Sequence, residues 1–458
     1  GGNWPNVANT NPASFVDGLF SNYLYTGNDA VLDVTNNIDL TKGGLVWIKN
    51  RGSATPHLLW SNETTGNLNS TNTDALNNTS LQPTFNNDGF TFPSSSWSTL
   101  NASSNNYVSW TFRKQPKFFD IVTYTGTGSA QAIAHNLGSV PGMIITKATG
   151  IQYNWGVFHH SRGNTKCLTL DDTGAEQTGS EFWNDTDPTS THFTVKNANQ
   201  TGDSGQAYVA YLFAHNDDDG GFGEPGDQDI IKCGSYTGNG NSTGPTVDLG
   251  FEPQWILQKS ATKTNTDWAI ADVMRGFTAD GVYQRLRPNR SDGEGSETQL
   301  APTSTGFKVV GTASDVNTNG ETYIYMAIRR GGMQTPTAAS DVFNVLKETS
   351  ATLNESYLQQ TSFPVDFVIN KAFGGGSSWW SAPRITNARL QLESGSAETD
   401  AASTHKFDQN NGVIVTGLSG SSNFMGYHFK RARGFFDVVP YTGTGSDTTV
   451  NHNLGVAP

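Results

Sequence analysis

Four tryptophans occur at nearly the same distance from a preceding lysine, and this spacing points to a possible ligand surface. Trp155, Trp268 and the pair Trp379–Trp380 each follow, by eight to nine residues, a lysine that closes a short apolar run. Exposed tryptophan rings are good platforms for sugar rings, so a glycan-binding interpretation is open. The alternative, which the pattern favours, is that this aromatic side chain fills the core of a folded unit.

Histidines form two further groups. His159 and His160 precede Ser161, a combination that could suggest a metal site or a nucleophile. Neighbouring residues of a strand point to opposite faces, so the pair is poorly placed to chelate one ion. We therefore predict a surface or strand-edge pair. His135 and His452 both stand in the motif HNLG, which indicates a role in packing a turn.

An acidic, glycine-rich stretch separates two parts of the chain at residues 215–229, HNDDDGGFGEPGDQD. Its composition predicts a solvated, flexible connector. Calcium is the alternative, because Asp217, Asp219 and Asp229 could supply oxygen ligands. The alternating ligands and closing glutamate of an EF-hand are absent from this stretch, and we predict no metal site.

The sequence motifs of enzymes are missing. Neither HExxH nor CxxC occurs, and the glycine-rich pieces GTGS, GNGNSTG and GGGSS lack the lysine of a phosphate-binding loop. Polar residues also differ freely between the repeats described next. We expect no catalytic residues, no cofactor and no enzymatic activity.

Internal repeats organise the chain. YTGTG begins at Tyr124 and Tyr441, YTGNG begins at Tyr236, and YTGND begins at Tyr25. Aromatic closing strands begin at Tyr107, Tyr208, Tyr323 and Phe424, which are 101, 115 and 101 residues apart. The predicted organisation is an N-terminal segment (1–19), unit one (20–114), unit two (117–215), an acidic linker (216–228), unit three (229–330), a divergent unit four (341–432) and the start of a truncated unit five (434–458).

Each unit consists of short runs rich in Val, Ile, Thr, Tyr and Phe between Gly, Asn and Ser clusters, the pattern of strands and tight turns. Seven or eight strands in ~100 residues are typical of an antiparallel β-sandwich. Propeller blades, the main alternative, are about half as long as these units. The predicted fold class is all-β, a tandem array of antiparallel β-sandwich domains.

Two residue series follow from the repeat. The lysines that close the apolar runs, Lys49, Lys147, Lys259 and Lys371, are predicted to extend their amines to solvent from a strand end. Three residues placed five positions before an opening tyrosine, Phe119, Ile231 and Phe436, are predicted to be core residues.

Composition restricts the partners. The chain has 28 Lys plus Arg against 41 Asp plus Glu, a net charge of −13, which argues against nucleic acid. Only Cys167 and Cys233 occur, so we expect free thiols and no disulfide framework. No apolar run approaches the ~20 residues of a transmembrane helix, and the N-terminus has no signal-peptide pattern.

The stretches YTGTGSAQAIAHNLGSVPGMIITK and YVAYLFAHNDDDGGFGEPGDQDIIKCGSY resemble an uncharacterised repeat domain of virion proteins from marine tailed bacteriophages, cyanophage-like ones included. These proteins are often described as tail-fibre or structural proteins. The resemblance covers units one to three and the start of unit five, and unit four departs from it. It implies an external appendage of a phage particle, assembled in the host cytoplasm.

Three functions remain open at this stage. The first is a tail-fibre shaft of domains in line, each roughly 35 Å across, about 140 Å in total. The second is an adhesin that binds host-surface glycan through the tryptophans, and the third is a capsid or neck decoration. A polysaccharide depolymerase would need clustered carboxylates in a groove. Expected partners are other virion proteins and copies of the chain itself, as a homotrimer by analogy with phage fibres.

Overall fold

The chain folds almost entirely into antiparallel strands, which confirms the all-β prediction. A computed structural model describes residues 12–71, 74, 76, 82–93, 98–348, 356–373, 378–386, 388–400, 404–416 and 423–458. Helical structure in this part is limited to α1 (Ser98–Asn101), α2 (Ser180–Trp183), α3 (Ser314–Asn317) and short 3-10 turns at Pro12–Ser14, Val16–Gly18, Leu40–Lys42, Val273–Arg275 and Ala339–Asp341.

Units one and two have related strand sequences. The strands of unit one are β1 (Phe20–Thr26), β2 (Leu32–Thr35), β3 (Gly44–Asn50), β4 (Leu58–Ser61), β5 (Leu68–Asn69), β6 (Thr84–Phe85), β7 (Gly89–Phe92) and β8 (Asn106–Arg113). Those of unit two are β9 (Phe119–Thr125), β10 (Gln131–Ala134), β11 (Pro141–Ala148), β12 (Gly156–His159), β13 (Lys166–Thr169), β14 (Gln177–Thr178), β15 (His192–Val195) and β16 (Ala207–Ala214).

Units three and four continue the pattern. Unit three contains β17 (Ile231–Thr237), β18 (Thr246–Asp248), β19 (Pro253–Ser260), β20 (Ala269–Asp272), β21 (Val282–Arg285), β22 (Gly295–Thr298), β23 (Leu300–Thr303), β24 (Gly306–Val309) and β25 (Thr322–Arg329). Unit four contains β26 (Phe343–Glu348), β27 (Ser356–Gln360), β28 (Phe367–Ala372), β29 (Trp379–Pro383), β30 (Ala388–Gln391), β31 (Thr399–Asp400), β32 (His405–Lys406), β33 (Gly412–Thr416) and β34 (Phe424–Phe429).

The main sheet has the same topology in all four units. Its first strand pairs with the closing strand, and the closing strand pairs with the lysine-bearing strand. The next strand of the chain pairs with the other edge of the lysine-bearing strand. The orders are β1-β8-β3-β4-β5, β9-β16-β11-β12-β13-β14, β17-β25-β19-β20 and β26-β34-β28-β29-β30-β31. A smaller sheet accompanies each, with the orders β2-β7-β6, β10-β15, β18-β24-β23 and β27-β33-β32. The sequence repeat is therefore a repeat of topology.

The lysine-bearing strands of units one to three are buried on both faces. All seven residues of β3 are buried, as are all eight of β11. In β3, Val46 and Ile48 belong to a cluster with Phe90 of the small sheet, whereas Leu45 and Trp47 belong to a larger cluster shared with units two and three. Strands covered on both faces read as continuous apolar runs, which explains GLVWIK and GMIITK.

The shaft hypothesis predicted units arranged in line, but units one to three pack against one another instead. The faces of their main sheets that turn away from the small sheets meet in one hydrophobic core. Phe119 and Ile231 lie in this core, as predicted, while Phe436 is only half-buried. Unit four has a small core of its own, which includes Phe363 and Val368.

The acidic segment is also not the flexible connector that its composition predicts. Phe222 is 4% exposed and pairs with Gln228 in an isolated bridge, and the Gly223 N–H donates to the Ser14 carbonyl at 2.8 Å. The carboxylate of Asp229 lies 3.3 Å from the Lys232 amine. Residues 216–228 thus form a turn that Phe222 and Gly223 anchor while Asp217–Asp219 stay exposed, and a lysine supplies the positive charge nearest Asp229.

Candidate functional site at the joints of the three-unit ring

The centre of the shared core is built from one equivalent row of each main sheet. Strand register aligns Phe20, Phe112 and Leu45 in unit one, Phe119, Phe213 and Met143 in unit two, and Ile231, Ile328 and Trp255 in unit three. All nine side chains are at most 2% exposed. The ring of Phe112 lies 5.5 Å from that of Phe213 and 5.9 Å from that of Trp255, so all three units meet here.

A backbone hydrogen bond recurs at all three joints. Its acceptor is always the carbonyl two residues after the buried lysine, and its donor is an amide of another unit. The bonds run from Leu76 to Thr149 at 3.0 Å, from Glu176 to Ala261 at 2.8 Å, and from Glu294 to Arg51 at 2.7 Å. They link unit one to two, two to three and three back to one. Head-to-tail contacts of this kind close a ring when the rotation per unit is near 120°.

The repeated tryptophans belong to these joints. The Trp155 indole N–H donates to the Asn69 carbonyl of unit one at 3.0 Å, and that of Trp268 donates to the Thr169 carbonyl of unit two at 2.8 Å. Asn69 and Thr169 hold the same place in their sheets, opposite Leu58 and Gly156. The core interpretation of Trp155 and Trp268 is confirmed, since both are 0% exposed, and the glycan-contact prediction does not hold for these two.

The third joint uses charge instead. Unit one has His57 at the tryptophan position, and the connection to unit three is made by Arg51, whose guanidinium lies 2.8 Å from the Glu294 carboxylate. Beside this pair, the Trp110 indole N–H donates to Asp272 at 3.0 Å, and Arg275 binds the same carboxylate at 2.7 Å. The sequence does not single out Arg51 and Glu294, because no counterpart of this pair recurs in the other units.

Three of the four lysines of the series lie inside the ring, which corrects the prediction that their amines reach solvent, and Lys371, in unit four, is half-buried. Lys49, Lys147 and Lys259 are 0% exposed because their strand ends are covered by the neighbouring unit. Each amine donates to the carbonyl of the following residue, at 2.7, 2.9 and 3.1 Å. Burial lowers the pKa of all three to about 8, against the opposing effect of carboxylates from the adjoining unit: Glu294, Asp74 and Asp172 respectively.

The histidine pair is likewise a joint rather than a surface feature. His159 is 1% exposed and its Nε2 lies 3.1 Å from the Tyr325 carbonyl of unit three. His160 Nε2 lies 2.9 Å from the Cys233 carbonyl, and its ring stacks on His215 at 4.4 Å. Burial lowers the pKa of His159 to about 3 and that of His215 to about 4, so protonation here opposes the contact between units two and three.

The HNLG motifs are turns, as predicted. His135 Nδ1 accepts from the Leu137 N–H at 3.2 Å, and His452 Nδ1 accepts from the Leu454 N–H at 3.2 Å. The free-thiol prediction is also confirmed: Cys167 and Cys233 are both unpaired and buried.

Trp379 and Trp380 are placed differently from the other tryptophans. Both are half-buried in unit four, where the Lys371 amine lies 5.4 Å from the Trp379 ring and the Arg389 guanidinium lies 4.2 Å from the Trp380 ring. They project from adjacent positions of β29 to opposite faces. The structure therefore does not combine them with Trp155 and Trp268 in one surface.

Unit four is attached to the ring by buried charges. Glu252 of unit three is 1% exposed and receives two hydrogen bonds from Arg431, at 2.9 and 2.6 Å. Arg330 bridges Glu252 and Asp366, and Arg384 lies 3.6 Å from Asp366. An open cleft of about 1120 Å³ lies beside this cluster. Arg431 also binds Asp437 at 2.6 Å, so removing one charge would leave this buried network with an unbalanced charge.

Comparison with known proteins assigns the repeat to a family. A family model matches residues 17–330. The chain belongs to this family, the domain of unknown function DUF7483. The matched DUF7483 region runs from just before β1 to just after β25, so it coincides with the three units of the ring. No curated protein and no solved structure matches the chain.

The described residues contain no group of three or more His, Cys, Asp or Glu side chains that could hold a metal ion. Among the same residues, no helix is long and apolar enough to cross a membrane.

Proposed function

We propose that this protein is a structural component of a bacteriophage virion, in which the DUF7483 ring forms a rigid segment of a tail fibre. The observation that carries the proposal is closure of the ring: the same backbone hydrogen bond connects all three pairs of units. The repeated side chains that could otherwise serve a ligand, Trp155, Trp268 and the buried lysines, are used in those joints. The use of these repeated side chains in the joints favours a mechanical role.

The resemblance to phage repeat domains supports the location of the protein. Phage fibres commonly obtain three-fold shape from three chains, and a ring of three repeats would provide a similar cross-section within one chain. Copies of the chain and other virion proteins remain the expected partners, in an external appendage.

Immunogold electron microscopy of purified particles tests the proposal. Antibodies against residues 17–330 are applied to virions of the phage that encodes this chain, and mass spectrometry checks that the chain is present. We expect label along a projecting appendage. Label on the capsid or neck would support a decoration protein instead, and absence of the chain from the particle would refute a virion role.

A second function is favoured only in unit four. Trp379 and Trp380 keep part of their surface exposed, so host-glycan binding by this unit remains a candidate. Glycan arrays with the whole chain and with the Trp379→Ala and Trp380→Ala variants test it. Signal that these variants abolish would establish an adhesin, whereas an identical signal would exclude these two residues.

A further inference from the structure

The main sheet of unit four presents the face that units one to three bury in the ring. Its register aligns Phe343, Phe429 and Phe367 in one row, in the same strand order as the nine central residues of the ring. The equivalent side chains of the ring are at most 2% exposed, whereas all three phenylalanines are half-buried. Unit four thus carries an apolar ring face with incomplete cover.

The rest of this face is more open. Val345 occupies the next row, beside Tyr427 and in line with Ile369, and it is 46% exposed. Leu390 and Leu392, on the same side of the sheet, are 41% and 48% exposed. Large apolar side chains with such exposure are few among the described residues, and three of them lie on this face, near its two edges. The half-buried Tyr427 and Ile369 lie between them, and such an apolar face is typical of an interaction surface.

Positions that make contacts in the ring are also present in unit four. Lys371 stands at the place of the buried lysines and pairs with Trp379. In unit two, the register that pairs Thr146 with Gly156 places the joint tryptophan Trp155 beside Lys147. The equivalence therefore extends from the central row to the rim of the sheet.

The connection from unit four to unit five repeats the connection from unit one to unit two. Isolated bridges join Gln115 to Phe119 and Ala432 to Phe436. The Lys117 and Gly434 amides, both at positive φ (63° and 71°), donate to the carbonyls of Leu137 and Leu454 at 2.6 and 2.7 Å. The amides of Asn136 and Asn453 donate to Asp120 and Asp437 at 2.7 and 2.8 Å.

The aromatic packing at this connection is repeated as well. Phe436 lies 5.1 Å from Phe429, as Phe119 lies 5.5 Å from Phe112. The chain after unit four therefore leaves in the direction that brings unit two against the ring face of unit one.

We infer that unit four is the first member of a second ring, whose uncovered face is occupied by two further repeat units of this type. The unit that begins at residue 434 takes the place of unit two, and a following repeat takes the place of unit three. The inference deepens the proposed fibre function, but it rests on the ring geometry, and its test uses purified protein. A negative result therefore leaves the virion experiment informative, and the reverse is also true.

The test extends the whole chain with repeats whose structure is known. Residues 1–434 are followed directly by a second copy of residues 118–330, which uses the equivalence of Gly434 and Lys117. The reporter is Val345→Cys, since both native thiols are buried. We expect a thiol reagent to label this cysteine at least about tenfold more slowly in the extended chain than in residues 1–458, because the added units cover it.

A matched reporter, Val31→Cys, lies outside the ring face at 59% exposure and should react equally in both chains. Equal labelling of Val345→Cys in both chains, with a folded extension, overturns the inference. If the extension does not fold, sedimentation of residues 1–458 decides: a face built for repeats pairs reversibly with copies of the chain at high concentration, and Val345→Lys abolishes the pairing. A chain that stays monomeric at its solubility limit overturns the inference as well.

Discussion

Lys259 offers a sharp test of the ring because its burial depends on unit two. Its amine is held within the joint by Thr266 at 2.8 Å and by its own strand, and burial lowers its pKa to about 8 from 10.5. The unfolded chain therefore holds the proton more tightly than the folded chain. Stability is reduced below pH 8, and it rises as the pH increases between about 8 and 10.5.

The magnitude follows from the two pKa values. Raising the pH from 7 to 9 should increase the free energy of unfolding by about 1.3 kcal/mol through this lysine alone. In Lys259→Met that increment disappears, so the difference between variant and wild type should change by about 1.3 kcal/mol between the two pH values. Urea unfolding monitored by tryptophan fluorescence at pH 7 and pH 9 provides the measurement.

Lys371→Met is the matched control, since it alters the equivalent lysine in the partly uncovered sheet of unit four. Comparing pH differences within each variant cancels the loss of the hydrogen bond to Thr266. An unchanged gap between Lys259→Met and wild type at the two pH values would refute the enclosed joint.

Three further predictions concern the other contacts. Lowering the pH from 7 to 5 should reduce the free energy of unfolding by about 2 kcal/mol through His159, whose pKa is about 3 in the folded chain and 6.5 in the unfolded chain. The stability that this histidine contributes above pH 6.5 is lost as the pH falls, and urea denaturation of His159→Asn should lack that loss. Trp268→Phe should reduce the unfolding free energy by about 1–3 kcal/mol, since the buried Thr169 carbonyl loses its donor, and calorimetry showing no decrease would contradict the joint. Glu252→Gln should destabilise the protein by about 1–3 kcal/mol, because Arg431 then keeps only Asp437, and Arg330 only Asp366, as a carboxylate partner. Faster hydrogen exchange in unit four would report the loss, and unchanged exchange would exclude the contact.

The sequence predicts the repeat and the all-β class well, because both depend on local patterns. Apolar runs such as GLVWIK, turn motifs such as HNLG and the recurrent aromatic strands all report structure within one unit. The core positions Phe119 and Ile231 follow from the same register.

The arrangement of the units could not be predicted in this way. Lys49 reads as a solvent-exposed strand end because the residues that cover it belong to unit three, more than 200 positions away. The acidic segment 216–228 reads as a linker because its composition is polar, yet one apolar side chain, Phe222, anchors it. One signal was present in the sequence. The strands that end in the buried lysines, such as GLVWIK, are apolar at consecutive positions, which indicates that both faces of the strand are covered. A free-standing sandwich would cover only one face of each strand.

Small-angle X-ray scattering of the monomeric chain tests the central claim, that units one to three close into a ring with unit four docked on it. A compact chain of 458 residues should have a radius of gyration near 23 Å. Four domains in line, about 140 Å long, would give roughly 40 Å. We predict a value close to the compact one, allowing for the chain ends. A value near 40 Å, with the scattering profile of a rod, would contradict the ring.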